Sequence, residues 1–173
     1  MVVLAALGEP PDPALDPALR AAVADRAGAW ARSVAGEGRA FVSGSASDEL
    51  ADLLAGHDGP VVFVAPDVPR LDSCLAEAAL GDLAAGCVLS FAPATDATPF
   101  LLAFAAVQPE ALALLASLGD RRRETVFAEA MALGGEVGLL RSERRVVTPA
   151  DARSLALDPM VPEPLRSLAA RHR

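Results

Sequence analysis

Short runs of aliphatic and aromatic residues alternate along this chain with longer stretches in which apolar residues return every three or four positions. The short runs predict buried strands over Val2–Leu7, Arg39–Val42, Val61–Ala65, Cys87–Ala92, Phe100–Ala106 and Val137–Leu140. Between the first two, Leu19, Val23, Ala27, Trp30 and Val34 share one helical face, with Asp25 and Arg32 on the other. Asp16-Pro17 opens that helix as a cap and a first-turn proline, and Gly36-Glu37-Gly38 closes it. Ser45 and Asp48 have capping-box spacing ahead of Leu50, Leu53 and Leu54. Asp72 caps a helix running through Leu83, and Pro109–Leu118 and Glu124–Leu133 read as two more. Thr148-Pro149-Ala150-Asp151 starts another helix with a capping box, and Leu165–Ala170 closes the chain.

Strands alternating with helices predict a three-layer α/β/α sandwich around a mostly parallel sheet. The exception is the pair Cys87–Ala92 and Phe100–Ala106, which follow each other with no helix between them. The sheet is therefore expected to be mixed there, with an exposed edge alongside that would offer a homodimer its contact. A chain of 173 residues suits one domain, residues 1–173, with a proper core.

The third strand stops at Ala65-Pro66-Asp67-Val68-Pro69. Ligands of open α/β sheets bind outside the carboxyl ends of the strands, and Asp67 falls at such an end. A metal or a diphosphate is the first ligand to expect there. The plain alternative is an acid that shapes the turn into the next helix.

Composition narrows the chemistry. The formal charge of −8 argues against a nucleic-acid groove, which needs a basic surface. All 15 basic residues are arginine, so a Walker phosphate loop, a Schiff-base lysine and a lysine general base are excluded. Cys74 and Cys87 have no paired motif and read as partly buried thiols. No apolar run approaches the ~18–20 residues that cross a bilayer. The first residues lack a basic leader, so the chain is expected to be soluble and cytoplasmic, without membrane or nucleic-acid partners.

The order of strand, Asp67, helix, strand, Asp96 and strand resembles the glycosyltransferase-A (nucleotide-diphospho-sugar transferase) fold. More narrowly, the chain is similar to a bacterial family of that fold related to phospholactate guanylyltransferase and the molybdenum-cofactor nucleotidyltransferases. That family shows a strand ending in G-x-D-x-P, a D-G-G-Y loop, and D-x-D-T-P-E-D near the C-terminus. Here these elements stand as Ala65-Pro66-Asp67-Val68-Pro69, Asp96-Ala97-Thr98-Pro99 and Arg145-Val146-Val147-Thr148-Pro149-Ala150-Asp151. Both glycines of the second element and both leading acids of the third are missing.

The resemblance implies a nucleotide or sugar nucleotide in the crevice, with Mg²⁺ or Mn²⁺ on Asp67. Leu7, Gly8 and Ser43 would line the nucleotide side, and Asp96 would orient the acceptor or help hold the metal. Each has an ordinary alternative: Asp96 as a surface-loop acid, Gly8 and Ser43 as strand-end turn residues. The N-terminal loop, Gly8-Glu9-Pro10-Pro11-Asp12-Pro13, is acidic where the family carries Lys-Thr-Arg. With Val147 replacing an acid, phosphate charge would fall to arginine, backbone N–H groups or the metal alone. Two functions follow from so eroded a set. One is a divergent nucleotidyl- or glycosyltransferase with weak or altered catalysis. The other is an inactive descendant serving as a ligand-binding or protein-interaction module. Arg121-Arg122-Arg123 reads as a solvated helix start.

Overall fold

A computed structural model of the chain describes residues 1–4, 7, 11–36, 38–42, 54, 56–106, 128–129, 131–132 and 134–172. Among these, six strands form one sheet: β1 (Val2–Leu4), β2 (Ala40–Val42), β3 (Val61–Val64), β4 (Leu89–Pro93), β5 (Pro99–Phe104) and β6 (Val137–Leu139). The helices are α1 (Pro17–Ala35), α2 (Ser73–Ala84), α3 (Pro149–Ala156) and α4 (Glu163–Ala169), with a short 3₁₀ turn at Ala170–His172. The expected helices after Ser45, over Pro109–Leu118 and over most of Glu124–Leu133 lie outside the described residues, as does Arg121–Arg123.

Strand order is β2-β1-β3-β5-β4-β6. β1 runs parallel to β2 and β3, and β4 runs parallel to β6. β5 is antiparallel to both its neighbours, β3 and β4. The expected mixed sheet is therefore present, and its odd strand is interior. Among the described residues β4 is flanked by β6, and the outer strands are β2 and β6.

A β4–β5 hairpin joins in place of a helix because its link is short and its ends are proline. Past Ala92 the register slips, pairing Pro93 with Pro99. Neither proline has an N–H to give the ladder, so both stand where strand pairing ends. Ala97 takes the tip's left-handed conformation at φ 71°, which costs a non-glycine residue strain. Asp96 offsets part of it, accepting the N–H of Thr98 at 3.0 Å and its hydroxyl at 2.6 Å through Oδ1.

The four residues of β3 are all buried, as expected of a strand covered on both sides. Phe63 meets the Phe104 ring edge-on at 6.1 Å. α2 packs on β4, β5 and β6. There Ser90 is fully buried and donates to Asp82 Oδ2 at 2.6 Å. Its register neighbour Gly138 leaves the space that Asp82 fills, since a Cβ on that glycine would sit 2.0 Å from the same oxygen.

α1 belongs to two apolar clusters. Leu19 and Val23 join Leu15, Val146, Leu155 and Leu165 in a small cluster with α3 and α4, whereas Ala27, Trp30 and Ala31 join the sheet core. Trp30 is core, as its place on the stripe predicted, and its indole N–H also donates to the Asp72 carbonyl at 2.7 Å. Asp16 and Asp72 cap α1 and α2, and Thr148 with Asp151 forms the complete capping box of α3. Cys87 is half-buried, and Cys74 is exposed rather than partly buried. Burial pushes the Cys87 thiol up, with the charges of Asp82 and Glu136 adding to it. No helix among the described residues is long and apolar enough to cross a membrane.

Candidate functional site

After β6 the chain continues as an extended strap, residues 140–147, across the carboxyl ends of β4 and then β3. Leu140 N–H donates to the Phe91 carbonyl at 2.9 Å and Thr95 N–H to the Glu143 carbonyl at 3.1 Å. Val146 N–H then donates to the Asp67 carbonyl at 2.9 Å. Side chains along the strap point alternately, as in any extended segment. Glu143 and Arg145 are buried, while Ser142 and Arg144 are exposed.

This path brings Arg145 onto Asp67. The guanidinium grips the carboxylate with both prongs of its fork, Nε to Oδ1 at 2.9 Å and Nη2 to Oδ2 at 2.6 Å. Asp67 is 9% exposed and Arg145 5%, so the pair is removed from water. A bidentate arginine–carboxylate pair satisfies the direction as well as the charge of both groups. With Val68 and Leu71 buried beside it, Asp67 fastens the end of β3 to the strap. The turn after β3 is also held to α1, where Arg26 Nε donates to the Pro69 carbonyl at 2.9 Å.

A hard divalent cation needs carboxylate oxygens whose lone pairs and charge are available to it. Both oxygens of Asp67 already accept from a cation of fixed charge, so this donor set does not fit Mg²⁺ or Mn²⁺. Among the described residues no group of three or more His, Cys, Asp or Glu side chains is placed to hold a metal ion. Asp96 lies at the same edge of the sheet, on the exposed hairpin tip, with Oδ1 spent on its own turn. Leu7 is buried in the sheet core. Gly8 and Ser43 lie outside the described residues.

Further charge surrounds the strap. Arg141 Nη2 donates to Asp72 Oδ2 at 2.6 Å and its Nε to Glu143 Oε1 at 3.0 Å. Arg70 stands 3.7 Å from Glu143 and 3.9 Å from Asp158. Burial pushes the Asp72 carboxyl up, but the Arg141 hydrogen bond, the Leu75 N–H and the charges of Arg141 and Arg70 outweigh it and hold it below its ordinary value. Arg141 is in turn raised, first by its hydrogen bond to Asp72.

Sequence reasoning singled out Asp67 and missed its partner. If the resemblance to the third motif holds, Arg145 stands where that motif has its first acid. A charge reversed opposite a retained acid marks a pair.

Two cavities lined by described residues open near this edge. One, about 280 Å³, lies between α1 and β1–β2 beside Pro66, walled by Leu4, Phe41 and Gly28 with Asp25 and Arg32 at its rim. The other, about 240 Å³, lies on the far side of the turn, between Arg70, the hairpin tip, the strap and the end of α3.

The architecture is that of an α/β sandwich of the nucleotide-diphospho-sugar transferase type. The chain is similar in structure to a candidate nucleotide-diphospho-sugar transferase from Desulfovibrio desulfuricans G20, with a TM-score of 0.65 over 98% of this chain and 94% of that one. Sequence identity between the two is 15%, so the likeness concerns the fold. No family model and no curated protein matches the sequence.

Proposed function

We propose that this chain is a ligand-binding member of the transferase-like fold that holds a nucleotide or sugar nucleotide without a divalent cation and has given up group transfer. Of the two functions the sequence leaves open, the buried bidentate pair of Asp67 and Arg145 supports the second. Phosphoryl and glycosyl transfer rely on positioned charge at the reacting phosphates. Asp67, the acid expected to carry the metal, spends its charge inside the protein. The narrower kinship, a divergent relative of the phospholactate and molybdenum-cofactor nucleotidyltransferases, rests on Ala65-Pro66-Asp67-Val68-Pro69 and stays part of the proposal.

The cavity beside Pro66 is the place we assign to the ligand. Leu4, Phe41 and Pro66 give it apolar walls suited to a flat ring. Buried Gly28 lies on the α1 side of the cavity, where an added Cβ would be in ordinary contact with Arg32, 3.5 Å from Nη1. Arg32 is exposed and is the cation nearest that mouth for an anionic group.

Thermal unfolding with a panel of nucleoside triphosphates and sugar nucleotides, each in Mn²⁺ and in EDTA, tests this. A bound ligand stabilises the fold by about 2.7 kcal/mol at a hundredfold excess over Kd. One or more nucleotides should raise Tm equally in both conditions, and Arg32→Gln should remove the rise. Stabilisation that needs Mn²⁺ and disappears in Asp67→Ala would restore the metal-dependent transferase. No shift from any nucleotide at millimolar concentration would sink nucleotide binding.

A further inference from the structure

The 3₁₀ turn Ala170–His172 carries one of the chain's two histidines, and that ring is engaged in a way its own chemistry restricts. The turn packs on α3 and α4. From there half-buried His172 reaches the start of α1, where the Asp16 N–H donates to its Nε2 at 3.1 Å. A backbone amide can only donate, so Nε2 is the acceptor and the ring is the neutral tautomer with its proton on Nδ1. An imidazolium carries a donor on each nitrogen and has no lone pair for this bond. Protonation sets one N–H against another.

The charges around the ring act in the same direction. On its own turn, exposed Arg171 places Nη1 3.8 Å from Asp16 Oδ2. From α3, Arg153 Nη1 donates to the His172 carbonyl at 3.5 Å. On α4, Glu163 and Arg166 pair with each other at 2.6 Å. On α1, Arg20 stands one turn beyond Asp16 and gives its backbone N–H to the Asp16 carbonyl at 3.0 Å. Asp16 supplies the opposing negative charge, and its Oδ1 already accepts the Ala18 N–H at 2.8 Å. The ring also sits at the N-terminus of a 19-residue helix, where unpaired N–H groups and the helix dipole disfavour a cation.

We propose that the bond between the Asp16 N–H and His172 is an acid-released latch: the neutral ring holds the 3₁₀ turn on the start of α1, and protonation lets it go. Nothing in this latch depends on a ligand. Release reaches only part of the molecule. Leu15 and Leu19, on either side of Asp16, belong to the small cluster with α3 and α4, whereas the sheet core is a separate cluster. The segment before α1 keeps its other tie, the Asp12 N–H to the Val147 carbonyl at 2.7 Å. Opening therefore loosens the C-terminal turn from α1 and leaves the sheet standing. A contact that needs a neutral ring stabilises above the range where imidazoles take up a proton, about pH 6.5, and is lost as pH falls through it.

Nitrogen–proton correlation NMR of the full chain from about pH 8 to about pH 5.5, with thermal melts over the same span, tests the proposal. The Asp16 amide resonance should move with the same midpoint as the His172 ring protons. In His172→Phe, which keeps a ring and removes the acceptor, the amide should stay still. The parent should melt about 2 °C above His172→Phe at the alkaline end, the worth of one hydrogen bond in a chain of this size, and the gap should close in acid. His57→Gln leaves the contact alone and should show the parent's pH dependence. The Met1 amine, which burial and then the Arg39 charge hold below its ordinary value, is common to parent and variant and cancels in the difference. An Asp16 amide that stays still while the His172 ring titrates overturns the proposal, as does equal melting of parent and His172→Phe at every pH. A gap that persists or widens in acid overturns it too, since the Asp16 carboxylate would then be holding the imidazolium in place.

Discussion

Asp67 and Asp96 stand at the same edge of one sheet, and the sequence marks both as candidates for a shared site. Their surroundings differ in every respect that decides what an acid does. Asp67 is 9% exposed, and each of its oxygens accepts from a buried guanidinium. Asp96 is exposed, and it bonds only to the backbone and hydroxyl of its own hairpin tip. One acid joins segments 78 positions apart, whereas the other closes a turn two residues long. Position at the carboxyl end of a strand is therefore compatible with a structural pin as well as with a ligand site. What separates them is the partner, and partners come from elsewhere in the chain.

The sharpest way to break this comparison is to remove the partner. Arg145→Met leaves the Asp67 carboxylate buried without compensation, and truncating one side of a buried pair costs about 3–5 kcal/mol. Replacing both, as Asp67→Leu with Arg145→Met, removes the stranded charge and should recover most of that loss. Urea unfolding of the two single variants and the double variant measures the coupling. A single-variant cost below about 1 kcal/mol would place the pair with ordinary surface ion pairs and undo its reading as a pin.

How much was legible in the sequence follows the same division between local and distant. The strands β3, β4 and β5, the caps at Asp16, Asp72 and Thr148, and the core position of Trp30 all depend on neighbours within a few residues, and they were readable. The interior position of β5 was not, because a missing helix reveals that a strand pairs antiparallel but not which strands it enters between. Leu7 read as a nucleotide-side residue through the resemblance and is packed in the core. Arg145 was the larger omission. Its pairing with Asp67 depends on the strap crossing two strand ends, a path set by contacts at Phe91, Thr95 and Asp67 that no local pattern encodes. Through the resemblance Arg145 reads only as a missing acid, and its meaning as a partner needed the opposing acid to be known.

Asp72 provides an intermediate case. Its side chain is 49% exposed yet accepts from Arg141 Nη2 at 2.6 Å and caps α2 through Leu75 N–H. Its folded carboxyl lies below the ordinary value of 3.8. A depressed acid stabilises the fold above its unfolded pKa, and that contribution is lost as pH falls through the lowered folded value. Asp72→Asn keeps an acceptor for the cap and discards the charge. The parent should exceed this variant by no more than about 1 kcal/mol near neutrality, since solvent screens so exposed a pair. The margin should hold down to about pH 3.8 and close in stronger acid. Thermal melts of both proteins across that range measure it. A margin that widens in acid would mean that the charge opposes folding.

The smallest effect belongs to Asp96, and it tests the comparison from its other end. Asp96→Ala removes two hydrogen bonds that lie entirely within the tip, both facing water. Water replaces such bonds at little cost, so the change in stability should stay within about 0.5 kcal/mol. The hairpin keeps its Ala94 N–H to Thr98 carbonyl bond at 2.6 Å and the Ala97 N–H to Ala94 carbonyl bond at 2.9 Å, so strand pairing below the tip is untouched. Asp96→Asn, which retains the turn acceptor without the charge, should be closer still to the parent. Nucleotide-induced Tm shifts should survive both changes if Asp96 is a turn acid. Loss of those shifts in Asp96→Asn, with the unliganded Tm unchanged, would return Asp96 to the site and show that an exposed acid at this edge recruits a ligand while the buried one holds the fold.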